Sequence, residues 1–135
     1  MPKLQQRKKS DVTQDPVLIA RAVYDAYIRK DREAIESLIA DDFHFTSPLD
    51  NRLDRKTYFE RCWPNSETTA SFEFRNLISD NGRVFVTYEF TKTTGERFCN
   101  TEILSTRDGK LSEVEVYFGW MIPHEAPIGG FVTPR

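Results

Sequence analysis

The sequence predicts an α+β fold in which three N-terminal helices pack on one face of a curved antiparallel sheet. Apolar residues recur at intervals of three and four up to about Trp63, as in amphipathic helices, and at every second position from Ser71 onward, as in strands. Pairs such as Asn81-Gly82 and Asp108-Gly109 separate the strand segments, which is typical of hairpins. Helices followed by consecutive hairpin strands indicate the α+β class rather than a parallel sheet or a sandwich.

The chain is expected to form one domain, because 135 residues with 39% hydrophobic and 30% charged residues suffice for a single core. Residues 1–13 are polar and without periodicity, so we expect a mobile basic tail there. Residues 14–122 hold the periodic segments and form the expected domain. Residues 123–135 hold three Pro and two Gly, and we expect an irregular C-terminal arm.

The first predicted helix runs from Pro16 to about Lys30. Asp15 is a typical N-cap residue, and Pro fits the first helical position because its missing N–H has no partner there. The helix carries a broad apolar stripe that predicts a core-facing side: Val17, Leu18, Ile19, Ala22, Val23, Ala26 and Tyr27.

A short second helix and a short strand are predicted next. Asp31 is expected to cap the helix, which ends at Asp41-Asp42. Residues 43–47 alternate between bulky apolar and polar side chains, and Pro48 stops the strand. The alternation places Phe43, Phe45 and Ser47 on one face and His44 and Thr46 on the other.

A third helix follows a polar loop. Asp54 is expected to cap it, and it runs from about Arg55 to Trp63 before Pro64 ends it. Four strands then form an antiparallel meander over residues 71–79, 83–92, 96–106 and 111–121.

The charge distribution argues against nucleic-acid binding. Residues 11–135 carry 15 basic and 21 acidic residues, a net charge of −6, whereas nucleic-acid affinity depends on excess Lys and Arg. The apolar stretches are far shorter than a membrane span requires, and the basic N-terminal run is not followed by the apolar segment of a secretory signal. We therefore expect a cytoplasmic protein without membrane or nucleic-acid partners.

The two cysteines, Cys62 and Cys99, and the two histidines, His44 and His124, do not have the spacing of a zinc site. We expect no metal site. In a cytoplasmic protein, two isolated cysteines are expected to be buried or half-buried thiols.

Two sequence motifs resemble those of a known superfamily. Residues 40–48 read ADDFHFTSP after the two-helix start, and residues 107–111 read RDGKL before the last strand. These motifs resemble the SnoaL-like group of the nuclear transport factor two superfamily over roughly residues 15–122. The resemblance implies a cone-shaped α+β barrel whose sheet surrounds a hydrophobic pocket, and a homodimer formed through the outer sheet face.

Ketosteroid isomerase, a member of that superfamily, uses a carboxylate base and an oxyanion hole built from a Tyr and a protonated Asp. By position, the base falls at Ser47, the Tyr near Val23 and the Asp near Thr101. A neutral Ser cannot act as that base. Tyr24 and Tyr27 are close to the helix position but point to different sides. The resemblance therefore does not predict the ketosteroid isomerase reaction.

The resemblance also implies which strand residues face the pocket. In the last strand these are Val114, Val116 and Phe118, with the alternate residues Glu113, Glu115 and Tyr117 facing outward. The preceding strand has two registers, because the turn between the strands can hold a bulge. Its inward residues are either Thr101 and Ile103, or Asn100, Glu102 and Leu104.

Glu102 is the first catalytic candidate. An acid that faces an apolar cavity has a raised pKa, which suits general acid/base catalysis. In the other register Glu102 faces outward and pairs with Arg97 or Arg83. His44 is the second catalytic candidate, as a proton relay, although its position in the strand also fits a surface or an interface.

The expected ligand-binding residues are those whose positions fit the pocket or its rim. They are Phe45, Ser47, Tyr27, Tyr88, Trp63, Asn100, Val116 and Phe118. Trp63 also fits an interface position. Asp50 and Asn51 are expected near the mouth of the pocket, and His124 in the arm either closes over the pocket or packs on a partner subunit.

Two functions fit these expectations. The first is an acid/base enzyme of the isomerase, cyclase, dehydratase or hydrolase type, which needs no cofactor and acts on a mainly apolar small molecule. The second is a non-catalytic ligand-binding or dimerisation module of the same fold. Aromatic residues make up 13% of the chain, including ten Phe, and this content fits a wall around an apolar pocket.

Overall fold

The computed structural model describes residues 14–131. The predicted tail of residues 1–13 lies outside this range. In chain order the elements are α1 (Pro16–Arg29), α2 (Arg32–Leu38), β1 (Ile39–Ser47), β2 (Asp50–Asp54), α3 (Arg55–Arg61), a 3-10 helix (Trp63–Thr68), β3 (Thr69–Asp80), β4 (Arg83–Lys92), β5 (Arg97–Arg107) and β6 (Lys110–Met121). The described part of the C-terminal arm, residues 123–131, contains neither helix nor strand.

The six strands form one curved sheet in the order β2-β1-β6-β5-β4-β3. The sheet is open, because β2 and β3 are edge strands that do not pair with each other. Consecutive strands of the meander β3 to β6 are antiparallel, and so are β1 and β2. The predicted α+β class with helices packed on a curved sheet is confirmed.

One strand pair departs from the predicted all-antiparallel sheet, since β1 and β6 are parallel. The α3 helix and the 3-10 helix connect β2 to β3 at the other edge of the sheet. They return the chain to the end of the sheet where β2 began, so β3 and β2 run in the same direction. The alternation from β3 to β6 then makes β6 parallel to β1.

Aspartate side chains cap the N-termini of α1, α2 and α3, as predicted. Oδ1 of Asp15 accepts a hydrogen bond from Val17 N at 2.9 Å, and Oδ1 of Asp31 accepts one from Ala34 N at 3.0 Å. Oδ1 of Asp54 accepts one from Thr57 N at 2.9 Å. Each bond satisfies a backbone N–H that the helix itself leaves free.

Three predicted boundaries are wrong. The second helix ends at Leu38 rather than at Asp41-Asp42, because Ile39 is fully buried and pairs with Leu111 of β6. Residues 50–54, predicted as a loop, form the edge strand β2 against β1. The third α-helix ends at Arg61, and a 3-10 helix continues the chain past Pro64.

The core lies between α1 and the concave face of the sheet. The largest fully buried side chains come from α2, β1 and the three strands β4 to β6: Ile35, Ile39, Phe43, Val84, Val86, Leu104 and Leu111. Their burial supplies the hydrophobic stabilisation of the fold. Among the described residues, no helix has the length and apolar character needed to cross a membrane.

Candidate functional site

A cavity of about 770 Å³ lies between the concave face of the sheet and the helices α1 and α3. This volume is in the range that holds a drug-sized ligand. Its wall is mainly apolar and includes Val23 of α1, Phe45 of β1, Phe72 of β3, Phe90 of β4 and Val116 of β6. The cavity opens toward the C-terminal arm, where His124 and Glu125 line its mouth.

Glu102 faces this cavity from the middle of β5. Its cross-strand neighbours, Val86 on β4 and Val116 on β6, are both buried. Of the two registers left open by the sequence, the structure has the one in which Asn100, Glu102 and Leu104 face inward. The pairing of β5 with β6 shifts between Ser105 and Thr106, at the turn where the sequence allowed a bulge.

Two tyrosine hydroxyls donate hydrogen bonds to the Glu102 carboxylate. Tyr24, on α1, donates to Oε1 over 3.1 Å. Tyr88, on β4, donates to Oε2. Both carboxylate oxygens therefore have a phenol partner from an element other than β5.

Asn100 fixes the direction in which Tyr88 donates. The Gly119 backbone N–H donates to Asn100 Oδ1 over 3.3 Å, so the amide NH2 of Asn100 points the other way, toward Tyr88. Asn100 Nδ2 donates to the Tyr88 hydroxyl oxygen over 3.3 Å. The single Tyr88 proton is left for Glu102. We call Glu102, Tyr24, Tyr88 and Asn100 the Glu102 site.

Burial and hydrogen bonding shift the pKa of Glu102 in opposite directions. Glu102 is half-buried as a residue, protein surrounds its carboxyl, and desolvation raises the pKa of this carboxyl above the ordinary value of 4.5. Donation by Tyr88 and Tyr24 lowers the pKa, and desolvation is the larger effect. Burial, together with the nearby Glu102 charge, raises the pKa of both tyrosines, which remain protonated donors.

A second polar group in the cavity consists of Tyr27 of α1 and Tyr58 of α3, whose hydroxyls are hydrogen-bonded to each other. We call it the tyrosine pair. Burial raises the pKa of both phenols, and the negative charge of Glu102 raises each of them further. The two hydroxyls are therefore neutral.

Most of the residues predicted for the site line the cavity. These are Glu102, Tyr27, Phe45, Ser47, Tyr88, Asn100, Val116 and Phe118. Phe118 lies toward the mouth and is 53% exposed. Ser47, the position of the base in ketosteroid isomerase, donates its hydroxyl to Asp50, which is also in the cavity wall.

Two predicted site residues lie outside the cavity wall. The ring of Trp63 is buried and packs behind Tyr27, with 4.9 Å between ring centroids. His44 is on the opposite face of β1 from Phe45, and its Nδ1 lies 3.3 Å from Nη2 of Arg52 near the surface. The geometry therefore gives neither residue a contact with a molecule in the cavity.

The mouth of the cavity is built from the arm and the turn between β1 and β2. His124 stacks on Trp120, with 4.9 Å between ring centroids and 20° between planes. Asp50 forms an ion pair with Arg61, with 3.1 Å between Oδ1 and Nη2. Asn51 is exposed and does not line the cavity. His124 therefore lines the mouth of the cavity in this chain, and its packing on a partner subunit stays a prediction.

Two important cavity residues, Tyr24 and Tyr58, are absent from the predicted ligand-binding set. Tyr24 lies next to the helix position that the resemblance singled out, and Glu102 lies next to the expected Asp position at Thr101. The Thr101 hydroxyl instead faces the other side of the sheet, 2.9 Å from the hydroxyl of Thr87. If the comparison with ketosteroid isomerase were shifted by one residue, from Val23 to Tyr24 and from Thr101 to Glu102, it would identify the Tyr24–Glu102 contact.

Both cysteines are free thiols, as predicted: Cys99 is buried and Cys62 half-buried. Burial raises the pKa of Cys62 to about 11, so its thiol is not a nucleophile near neutral pH. Within residues 14–131, His, Cys, Asp and Glu side chains do not gather into a group of three that could hold a metal ion.

Solved structures with the same fold include proteins with different functional descriptions. A candidate ketosteroid isomerase from Kribbella flavida DSM 17836 has 19% identity and a TM-score of 0.70, covering 94% of this chain and 87% of that one. An LEH-like epoxide hydrolase from M. tuberculosis has 14% identity and a TM-score of 0.66, covering 77% and 82%. An NTF2-like protein of unknown function from Cytophaga hutchinsonii ATCC 33406 has 13% identity and a TM-score of 0.67, covering 77% and 89%. At these identities, the similarity shows the fold alone.

The sequence itself also matches a known family, although no curated protein matches the chain. The match is to the SnoaL-like domain and covers residues 20–114, which is more than half of the chain. It includes most of α1, the whole of β1 to β5 and the start of β6, and so the parts of the chain that carry Glu102, Tyr24 and Tyr88. The chain belongs to the SnoaL-like family of the nuclear transport factor two superfamily.

Proposed function

We propose that this protein is an acid/base enzyme that binds a mainly apolar small molecule and uses Glu102 to transfer a proton. The observation that carries the proposal is a carboxyl group that faces an apolar cavity and is held by two phenols. A carboxyl with a raised pKa is a better proton acceptor and is more often protonated near neutral pH than an exposed one.

The chemistry needs a single group that takes up a proton and releases it. Glu102 accepts a proton from one atom of the substrate and returns it to another atom or to water, while Tyr24 and Tyr88 donate to the carboxylate before the proton is taken up and after it is released. Such a cycle serves isomerase, cyclase, dehydratase and hydrolase reactions without a cofactor. The names of the ketosteroid isomerase and epoxide hydrolase structures with this fold are consistent with this range.

The test compares Glu102→Gln with wild type on a panel of hydrophobic ketones, lactones and epoxides. Gln keeps the shape of Glu but cannot exchange a proton, so we expect turnover to fall by about 100-fold or more. Glu115→Gln is the matched control, because Glu115 lies on the next strand, bonded to the exposed hydroxyl of Tyr117 and outside the cavity wall. Equal turnover by Glu102→Gln and wild type would remove Glu102 from the mechanism.

The second candidate function is non-catalytic ligand binding by the same cavity. It is favoured by one observation: both oxygens of Glu102 already have phenol partners before any ligand enters. Binding of panel compounds without turnover by wild type, and with similar affinity in Glu102→Gln, would favour this function over the enzyme.

A further inference from the structure

The tyrosine pair, Tyr27 and Tyr58, has no role in the proton transfer proposed for Glu102. Its two hydroxyls come from different helices, α1 and α3, and meet at the cavity wall. Neither hydroxyl is bonded to Glu102, whose phenol partners are Tyr24 and Tyr88. The pair is therefore a second polar group in an otherwise mainly apolar cavity.

The tyrosine pair has one hydroxyl hydrogen that the bond between its two members does not use. Two phenols carry two hydroxyl hydrogens, and the bond between Tyr27 and Tyr58 uses one of them. The hydrogen of the accepting phenol then has no acceptor among residues 14–131, since neither hydroxyl makes another bond there. A buried hydroxyl hydrogen that lacks an acceptor is costly, so a bound molecule that accepts this hydrogen gains affinity.

Packing holds both phenol rings in place. Tyr27 packs against Trp63 at 4.9 Å, and Tyr58 packs against Phe43 at 4.9 Å and Phe45 at 5.2 Å between ring centroids. Tyr58 is itself only 4% exposed. The free donor therefore has a fixed position, which reduces the entropy lost when a ligand oxygen binds to it.

We propose that the tyrosine pair binds an acceptor oxygen of the ligand, such as a carbonyl oxygen, while a second oxygen function of the same ligand lies at Glu102. The inference rests on the proposed function of the cavity and narrows its substrate class. The ligand is an apolar molecule with two oxygen functions on a rigid carbon frame, one that exchanges hydrogen bonds or a proton with Glu102 and one that accepts a hydrogen bond from the pair.

The probes for this inference are bicyclic alcohols of the decalin type. Decalol has one hydroxyl, which under this proposal lies at Glu102, where it can donate to the ionised carboxyl or accept from the protonated one. The hydroxydecalones add a ketone to the same frame, and a small series varies the distance between ketone and hydroxyl. Calorimetric titration measures ground-state affinity and does not require turnover.

We expect wild type to bind at least one hydroxydecalone about three- to tenfold more tightly than decalol, the effect of one net hydrogen bond. The double variant Tyr27→Phe/Tyr58→Phe should lose this preference and keep its affinity for decalol. Each single variant retains one phenol hydrogen, so the double variant is the decisive one. Replacing both partners by apolar rings of the same shape costs little stability, which a melting curve verifies.

Tyr117→Phe is the matched control, because it removes a phenol hydroxyl that bonds to Glu115 outside the cavity wall. It should keep the preference for the hydroxydecalone. The inference is overturned if the double variant keeps the preference, or if wild type binds decalol and every hydroxydecalone equally. In that last case the binding of apolar molecules stands and only the tyrosine pair loses its role. If wild type binds none of the probes, the proposed function of the cavity fails as well.

Discussion

The Glu102 carboxyl lies in an environment that disfavours its ionised form, and it accepts hydrogen bonds from two phenols. Desolvation makes the ionised carboxyl less favourable, and the phenols of Tyr24 and Tyr88 recover part of that cost. Because Asn100 donates to Tyr88, the Tyr88 proton is held toward the carboxylate before any ligand arrives. This arrangement is preorganised, which fits the proposed acid/base role.

The raised pKa of Glu102 makes the stability of the protein depend on pH. A folded-state pKa above the unfolded value means that the native state binds the proton more tightly, so this contribution to stability is fully present below the ordinary value of 4.5. It is lost as the pH rises from that value through the raised pKa. We predict that the free energy of unfolding of wild type, relative to Glu102→Gln, decreases as the pH rises above the ordinary value of 4.5.

Urea unfolding of both proteins over this pH range measures the difference directly. The other titratable groups are common to the two proteins and cancel in the comparison. A difference that stays constant with pH, or one that grows as the pH rises, would contradict a raised pKa at Glu102.

At the residue scale, alternation along the strands predicted much of the site. Together with the register that the resemblance implies, it placed Tyr88 and Val116 inward, and it made Glu102 inward in one of two registers. The choice between these registers depends on the bulge at Ser105 and Thr106, which is set by pairing with β6 and not by the local sequence. The contact between Tyr27 and Tyr58 joins two helices, and no local pattern indicates it.

The helices hold the site residues in place through their capped ends. Asp31 links α1 to α2: its backbone N–H donates to Ala26 O at 2.9 Å, and its side chain accepts from Ala34 N at 3.0 Å. Lys30, with a φ of 57°, makes the sharp change of direction between the two helices. The end of α1 that follows Tyr27 therefore depends on this junction.

We predict that Asp31→Ala lowers the free energy of unfolding by about 1 kcal/mol, the usual cost of losing an N-cap. Asp25→Ala is the matched control, because Asp25 makes only an exposed ion pair with Arg29 and its loss costs about 0.3 to 0.5 kcal/mol. Urea denaturation of the two variants provides the measurement. Equal losses would show that the cap is not important for stability.

At the element scale, the helix starts were the most predictable features, because Asp15, Asp31 and Asp54 carry a local capping signal. The edge strand β2 was the least predictable. Its sequence, DNRLD, has low strand propensity, and it is extended only because β1 provides hydrogen-bond partners. Tertiary pairing outweighs local preference in this segment.

The outer face of the sheet has an apolar row that crosses three strands. Ile78, Phe85 and Ile103 are direct neighbours in this row, and Ile78 is 62% exposed. Tyr117 on β6 is 53% exposed on the same face. The homodimer expected from the resemblance would cover these side chains, and it stays a prediction, as does the cytoplasmic location.

Light scattering tests the dimer. We expect a mass of about twice 15.8 kDa, and a shift toward the monomer in Tyr117→Glu, since a charge on this face would be buried without a partner. Ile128→Glu is the control, because Ile128 is fully exposed in the arm. A monomer at all concentrations of wild type would exclude the dimer.

At the scale of the whole molecule, the fold class followed from the change of hydrophobic period and from the turn pairs. The parallel pairing of β1 with β6 did not, because it depends on the end of the sheet at which the chain enters β3. The size of the cavity depends on the curvature of the sheet, which arises from strand pairing and bulges across the whole domain.

The position of β6 in the sheet also has a consequence for folding. β6 is the last strand in the sequence, yet it lies between β1 and β5 in the middle of the sheet. Pairs such as Ile39 with Leu111 therefore join the two ends of the domain, and contacts this distant in sequence slow folding. During synthesis, β1 cannot pair with β6 until nearly the whole domain has left the ribosome. Only then can the wall formed by Val114 and Val116 complete the cavity.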